Sequence, residues 1–362
     1  MIPGVSYDLV HEHQLSVPVV QAPMAGTSTI ELALQVAGAG GMTSIAVGTL
    51  TPGAATNIIR SFRRQSGRSL NVNVFCHRPA IPNPVVEKNW LAALSPMFHS
   101  LAATPPETLR EIYSTFVGHR EMVDALTAER PAVISFHFGL PDRSTISALK
   151  NAGIRLWSTA TNLDEALSAE GAGVDAIVAQ GFEAGGHRGV FDPDAADSEV
   201  GTLALVRMLT EKIGLPVIAA GGIMDGAGIA AALQAGAVAA QLGTAFIACP
   251  ESSADIAYRA KLFSDAARHT TMTRHISGRP ARCLANAFTA LAATLNDVTV
   301  PDYPITYDAG KALNEAARRA GNIDFGAHWA GQGARLARSM PAAELVRTLA
   351  AELAVALQPS SD

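Results

Sequence analysis

The sequence predicts an α/β fold in which eight βα units close into a (β/α)8 barrel. Short runs rich in β-forming residues alternate with helical patterns at regular intervals, which is typical of a parallel sheet. The runs are mostly apolar rather than alternating, as expected of strands that are covered on both faces. Because the unit repeats eight times, a closed barrel is favoured over an open doubly wound sheet.

The predicted elements follow one another in chain order until about residue 265. The strands are expected at Val17–Ala22, Met42–Val47, Leu70–Phe75, Ala132–Phe136, Ile154–Thr159, Asp175–Gln180, Pro216–Ala220 and Val238–Leu242. The helices are expected at Ile30–Ala37, Pro52–Ser66, Pro106–Ala128, Ser144–Asn151, Leu163–Glu170, Gly201–Ile213, Gly226–Gln234 and Ser252–Ser264.

Two regions depart from a bare barrel. Residues 76–110, after the third strand, contain six prolines and are too long for a plain loop, so we expect an insertion that forms a lid or a subdomain. After residue 265 the βα rhythm stops, and two helices are predicted at Ala309–Ala320 and Ala342–Leu357. We therefore expect a barrel over residues 1–265 and a helical extension over residues 266–362, packed on its outside.

Composition excludes several classes of protein. Of 362 residues, 48% are apolar and 16% charged, which excludes a mainly disordered chain and a coiled coil. The net charge of −5 argues against a nucleic acid partner. Cys76, Cys249 and Cys283 are far apart and form no CxxC pair, so neither a disulfide framework nor a metal site is predicted.

The sequence gives no sign of export or of a membrane span. Met1–Leu15 carries acidic residues and histidines where a signal peptide needs a basic start and an apolar run. The uncharged stretch Gly226–Pro250 is long enough to cross a membrane, but its glycines, glutamines and mixed periodicity favour a buried helix followed by a buried strand. A cytoplasmic location is therefore expected.

Active sites of such barrels lie at the carboxyl ends of the strands. Strand one runs into Ala22, Pro23 and Met24, a small-residue turn that lets a flat ligand approach, although a tight βα turn explains it equally well. Strand three presents Asn71 and Asn73 on one face, where their amides need a ligand or neighbouring backbone as partners.

Strand six leads into the most informative segment, Gln180 to Gly189. Its four glycines surround His187, whose imidazole is expected to stand free over a pocket. A lone histidine is more often structural, but this position favours one that takes a proton from carbon or binds an anion. Glu183 and Arg188 are weaker candidates, since charged loop residues are usually just solvated.

Strands seven and eight end in glycine turns that suit a phosphate group. The turns contain Gly221, Gly222 and the run Gln241–Thr244, at the place where many barrels bind phosphate through backbone N–H groups. Asp225 is predicted to cap the next helix. Gly226–Ala231 matches a loose GxGxxA pattern, but the acidic residue expected about 20 positions further on is missing.

These motifs together resemble the nitronate monooxygenase family, whose members are flavin mononucleotide (FMN) enzymes on a (β/α)8 barrel. The similar segments are Gln21–Gly26, Asn71–Phe75, Ala179–Gly189, Pro216–Gly226, Gln241–Phe246 and Trp329–Gln332. One departure is Cys76-His77-Arg78 after strand three, which leaves substrate access open.

The resemblance implies a role for each matching position. His187 falls on the catalytic histidine, which holds the anionic substrate and can remove the proton α to a nitro group. Met24 would line the flavin ring. With the turns described above, the expected cofactor-binding residues are Ala22, Pro23, Met24, Asn73, Gln180, Gly185, Gly186, Gly221, Gly222, Gln241, Leu242, Gly243 and Thr244.

The implied activity is a detoxifying oxidation of alkyl nitronates such as propionate 3-nitronate, with O2, to a carbonyl product and nitrite. The partners would be small molecules, and the chain a monomer or a homodimer. Two alternatives stay open: a flavin-dependent enoyl-acyl carrier protein reductase that uses NAD(P)H, which has a similar Glu-Ala-Gly-Gly-His loop, and a flavin-binding protein without turnover.

Overall fold

Eight parallel strands form one barrel-shaped sheet in the computed structural model, which describes residues 8–358. The sheet order β1-β9-β8-β6-β5-β4-β3-β2 places β1 and β2 at its two ends, and a bridge between Val20 and Met42 joins them. The predicted (β/α)8 barrel is therefore confirmed. Its strands are β1 Val19–Gln21, β2 Thr43–Ala46, β3 Leu70–Phe75, β4 Val133–His137, β5 Arg155–Ala160, β6 Ala176–Gln180, β8 Val217–Ala220 and β9 Ala239–Leu242.

Three further strands form a small antiparallel sheet in the order β10-β11-β7. They are β7 Gly186–His187, β10 Thr270–Thr273 and β11 Ala281–Leu284. The first belongs to the loop after β6 and the other two to the C-terminal part of the chain. This sheet therefore joins the C-terminal extension that begins at residue 266, called the tail below, to the mouth of the barrel.

The helices surround the barrel and build the tail. They are α1 Leu9–Glu12, α2 Ile30–Gly38, α3 Pro52–Gln65, α4 Pro84–Ser100, α5 Arg120–Glu129, α6 Arg143–Asn151, α7 Leu163–Ala172, α8 Thr202–Lys212, α9 Gly226–Gln234, α10 Thr244–Ile247, α11 Ile256–Leu262, α12 Ala287–Ala292, α13 Ile305–Arg319 and α14 Ala342–Ala356. Side-chain caps begin many of them, including Asp225, which accepts a hydrogen bond from Gly228 N as predicted.

Helix α14 closes the outer ring of the barrel. It packs between α2 and α9, and Leu345, Leu349 and Leu353 are buried in the core between sheet and helices. The helix predicted at Ser252–Ser264 is shorter in the structure and packs beside a 3-10 turn at Asp265–Arg268. The last helix of the chain, rather than the one after β9, thus completes the ring.

The helix predicted at Pro106–Ala128 begins only at Arg120, so the prediction is wrong for residues 106–119. The preceding backbone bonds to the end of β3 instead: Phe116 N donates to Phe75 O at 2.8 Å, and Thr115 Oγ1 donates to His77 O at 2.5 Å. These bonds take the place of helical ones and hold the segment against the barrel mouth.

The 76–110 insertion packs on the tail around a second hydrophobic core. Helix α4 contacts α13, and the buried side chains of Trp90, Leu94 and Phe98 share a cluster with Phe288 and Leu313. The boundary at residue 265 and the movement of a lid both stay predictions.

None of the helices in residues 8–358 has the length and apolarity that a membrane crossing needs. The prediction that Met1–Leu15 holds no export signal falls partly on residues 1–7, which lie outside the described residues.

Truncating a buried leucine of α14 should destabilise the barrel. Leu349 is fully buried, so we expect Leu349→Ala to lower the free energy of unfolding by about 2–5 kcal/mol. Val355, on the same helix, is 68% exposed, and Val355→Ala should change it by less than about 0.5 kcal/mol. Urea denaturation followed by circular dichroism measures both values. Equal effects of the two variants would contradict the packing described for α14.

Candidate active site

A cavity of about 630 Å³ lies at the carboxyl ends of the barrel strands. Its volume is in the range of small-molecule and cofactor sites. Leu242 does not line it, because this side chain is buried in the core between sheet and helices. The other residues expected to form the site do line it: Ala22, Pro23, Met24, Asn73, Gln180, Gly185, Gly186, His187, Gly221, Gly222, Gln241, Gly243 and Thr244.

One corner of the cavity presents backbone N–H groups. Gly221 and Gly222 have φ values of +128° and +70°, which favour glycine, and they turn the chain after β8. Within residues 8–358, the N–H groups of Gly222, Gly243 and Thr244 donate to no protein acceptor. Unpaired amides at the ends of two neighbouring strands form a binding place for an anion such as phosphate.

Asn73 offers the cavity a hydrogen-bond acceptor. Its Nδ2 donates to the backbone oxygen of Ser135 at 3.0 Å and to Ser135 Oγ at 3.1 Å. Its Oδ1 has no hydrogen bond to any described residue, and Asn73 lines the cavity. Asn73 is therefore held by the protein on one side and can bind a ligand N–H on the other.

Gln180 holds the loop that carries the histidine. Its Nε2 donates to His187 O at 3.0 Å, and its Oε1 accepts from Gly189 N at 2.7 Å. His137 Nε2 also lies 3.3 Å from His187 O. The backbone from His187 O to Gly189 N, which follows the imidazole in the chain, is thus fixed by side chains from two barrel strands.

His187 lies in strand β7 and does not stand free on a loop, so that expectation is corrected. Ala281 of β11 is its partner in the antiparallel pairing. Its Nε2 is 2.8 Å from Ser277 Oγ. The rings of Trp329, Tyr303, Phe138 and Tyr307 surround the imidazole, with centroids at 5.0, 5.5, 5.6 and 6.1 Å. The histidine is therefore presented to the cavity from a rigid, aromatic wall.

Three histidines are held neutral here: His187 and His137, which line the cavity, and His77, which is buried and does not line it. Burial, together with His137, Arg279 and His77, lowers the pKa of His187 to about 3. Burial and Arg279 lower the pKa of His137 to about 4 and that of His77 to about 3. At neutral pH the imidazole of His187 thus carries one proton and one lone pair, as a general base requires.

Sequence reasoning missed the aromatic and cationic part of the site. Tyr113, Tyr303, Tyr307 and Lys311 line the cavity but come from the segment after α4 and from the tail, where no strand end marks them. His137 could have been found, because it is the last residue of β4. Trp329, which opens the tail motif, also lines the cavity.

Lys311 contributes a cation to the lining of this cavity. Its Nζ donates to the hydroxyl of Tyr113 and lies 5.2 Å from the centroid of Tyr307. No carboxylate of residues 8–358 pairs with it, whereas the other cation of the lining, Arg318, is paired with Asp255. The cavity wall thus carries an unneutralised positive charge.

The residues present fit a bound flavin phosphate. The unpaired amides suit the phosphate, and Asn73 Oδ1 suits a polar ring edge.

The segment Cys76-His77-Arg78, in which the sequence departs from the family pattern, contributes no residue to the cavity lining. Cys76 and His77 are buried and do not line the cavity, and Arg78 pairs with Asp194 at 2.7 Å. In the described part of the chain, no group of three or more His, Cys, Asp or Glu side chains could hold a metal ion.

A family model described as nitronate monooxygenase matches residues 8–352. The chain belongs to the nitronate monooxygenase family. Members of this family are flavin-dependent monooxygenases. A nitronate monooxygenase of Paraburkholderia phytofirmans is 57% identical, over 93% of this chain and 92% of that protein. One of Pseudomonas aeruginosa is 52% identical, over 93% and 96%.

Solved structures agree with this membership. Nitroalkane oxidase from Streptomyces ansochromogenes superposes with a TM-score of 0.88 and 38% identity, over 97% of this chain and 99% of that one. FabK from Thermotoga maritima is more distant, with a TM-score of 0.71 and 26% identity over 96% of both chains. The family and the fold expected from the sequence are thus confirmed.

Acid should destabilise this protein through its buried histidines. Unfolded histidines bind a proton near pH 6.5, whereas His77, His137 and His187 do so only near pH 3–4, so stability should fall as the pH drops from 6.5 towards 4. His77→Phe should reduce proton uptake on unfolding by about one. Urea unfolding at pH 7.5, 6 and 5 measures this. A pH dependence identical to that of the wild type would show that His77 is not neutral in the fold.

Proposed function

We propose that this chain is an FMN-dependent nitronate monooxygenase that oxidises small alkyl nitronates with O2 to a carbonyl compound and nitrite. The observation that carries the proposal is a neutral His187 facing the same cavity as the unpaired amides of Gly222, Gly243 and Thr244. When bound, FMN supplies the one-electron and oxygen chemistry. The chain supplies the binding, the orientation and the proton transfer.

Each part of the cavity has a task in this proposal. The amide corner binds the phosphate, and Met24 with Ala22 and Pro23 supports the flavin ring. His187 removes the proton from the carbon next to a nitro group, or lies beside a nitronate that arrives already deprotonated. The aromatic side chains of Tyr303, Tyr307 and Trp329 exclude water from the reacting atoms.

Lys311 supports a carboxylated substrate such as propionate 3-nitronate. The ring of Tyr307 lies between the two functional groups, 6.1 Å from the His187 ring and 5.2 Å from Lys311 Nζ. A substrate with a nitronate at His187 could therefore place its carboxylate near Lys311. A charge-assisted hydrogen bond would hold it there.

We also propose a cytoplasmic location and a monomeric or homodimeric state. The three cysteines are buried and unbridged, which suits a reducing compartment. No nucleic acid or membrane partner is required, since O2 and the nitronate are both small molecules.

An anaerobic titration tests the proposed function. The purified protein should be yellow and release FMN on denaturation, and propionate 3-nitronate added without O2 should change its visible flavin absorption. His187→Asn should lower kcat/KM for nitroethane, a neutral nitroalkane that must lose a proton before it is oxidised, about 10²–10⁴-fold with unchanged flavin content. His99→Asn, an exposed histidine on α4, serves as the matched control.

Two results would contradict the proposal. One is a bound flavin that nitronates leave unchanged while an enoyl thioester drives NAD(P)H oxidation, as an enoyl-acyl carrier protein reductase would show. The other is a flavin that neither substrate alters, as a storage protein would show.

Removing the charge of Lys311 should impair carboxylated substrates selectively. Lys311→Met should raise KM for propionate 3-nitronate about 10- to 100-fold, because a hydrogen bond to a charged group is lost. KM for ethyl nitronate, which has no carboxylate, should change less than about twofold. Steady-state oxygen consumption measures both, and Lys88→Met on α4 is the control. Equal changes for the two substrates would exclude Lys311 as the carboxylate-binding residue.

A further inference from the structure

Ser277 makes the direct side-chain contact with the imidazole of His187. It lies in the turn between β10 and β11, is fully buried, and places its Oγ 2.8 Å from His187 Nε2. The turn is rigid: Gly278 has φ +100°, and a Cβ there would meet the backbone of Tyr303 at 2.7 Å. Ser277 is therefore presented to the histidine by backbone that has little room to move.

The single proton of the Ser277 hydroxyl has another acceptor. Ser277 Oγ lies 3.2 Å from the backbone oxygen of Arg279, a residue that is 1% exposed. No other donor in the described chain reaches this oxygen. A buried carbonyl without a donor is costly, so the hydroxyl proton belongs there. One lone pair of Ser277 Oγ can accept from Arg279 N, 3.5 Å away, and the other is left for His187.

A neutral imidazole has one N–H group, and the contacts of His187 determine whether Nδ1 or Nε2 carries it. With the hydroxyl proton directed at Arg279 O, the contact between Nε2 and Oγ needs its hydrogen from the histidine. His187 Nδ1 makes no hydrogen bond to any of residues 8–358, and the side chain lines the cavity. Burial among His137, Arg279 and His77 keeps the ring neutral by lowering its pKa. The basic lone pair is thus left on Nδ1.

We propose that Ser277 is a positioning residue that fixes His187 as the Nε2–H tautomer, so that Nδ1 is the atom that accepts the substrate proton. The proposal deepens the proposed function and rests on it for the identity of the substrate. When a nitroalkane reacts, the C–H bond breaks, its electron pair stays on the nitronate, and a new N–H bond forms at Nδ1. The Nε2–H to Oγ bond persists, because Ser277 accepts from the neutral and the charged ring alike.

Nitrogen-15 NMR of the flavin-loaded protein labelled at histidine tests the tautomer without any turnover. The His187 signals are assigned by their loss in His187→Asn. We expect Nε2 to show the protonated, pyrrole-type shift and Nδ1 the unprotonated, pyridine-type shift. The reverse assignment in the wild-type protein would overturn the proposal, and this measurement needs no variant of Ser277.

Kinetic measurements on Ser277 variants are the second test. Ser277→Ala should populate both tautomers and slow deprotonation of nitroethane about 10- to 100-fold. Turnover of preformed ethyl nitronate, which needs no proton abstraction, should change less than about threefold. Ser277→Thr, which keeps the hydroxyl, should restore the tautomer. The matched control is Ser252→Ala, a buried serine that bonds to Ile247 O.

The outcomes separate the two proposals. An unchanged tautomer in Ser277→Ala, or equal losses with nitroethane and ethyl nitronate, would overturn the role of Ser277. A wild-type protein that shows the Nε2–H tautomer but oxidises no nitronate would overturn the proposed function and leave the tautomer assignment in place.

Discussion

The pairing of β7 with β11 determines where the imidazole at the centre of the site lies. His187 opposes Ala281 and Gly186 opposes Arg282, although more than 90 residues separate the two strands in the chain. Three buried arginines reinforce this contact by donating to backbone oxygens: Arg188 to Gln180, Arg279 to Val190 and Arg282 to Phe182. Each guanidinium group donates to a backbone carbonyl oxygen that would otherwise lack a hydrogen-bond donor in the interior.

Charge is distributed unevenly around the site. The interior beside the imidazole holds neutral histidines and the guanidinium of Arg279, which lies 4.4 Å over the ring of Phe138. Burial and repulsion by this cation lower the pKa of the nearby histidines, so their rings stay unprotonated well below neutral pH. The side-chain positive charge that can reach a ligand is placed further out, at Lys311. The proposed proton abstraction at His187 and the proposed anion recognition at Lys311 thus lie in separate places of one cavity.

The barrel could be predicted because its strands are buried on both faces and therefore have short apolar sequences that repeat. The glycine turns and His187 could be predicted because strand ends of a barrel meet at one mouth, so local sequence indicates position. Tyr303, Tyr307, Lys311 and Ser277 could not, since they reach the site through contacts between distant parts of the chain. The position of α14 in the outer ring of helices could not be predicted either, because its apolar sequence does not show which distant helices it will pack against.

The tail also approaches the barrel loops more closely than side chains would allow. A Cβ on Gly185 would lie 2.4 Å from Gly331 N, and Gln332 N donates to Glu183 O at 2.9 Å. The loop after β6 and the tail therefore reach their final form together. During synthesis on the ribosome, the strands of the barrel emerge long before residues 331–332 and before α14, which fills the last place in the ring. The cofactor site that we propose is consequently completed only after residues 331–332 have left the exit tunnel, well after the strands of the barrel.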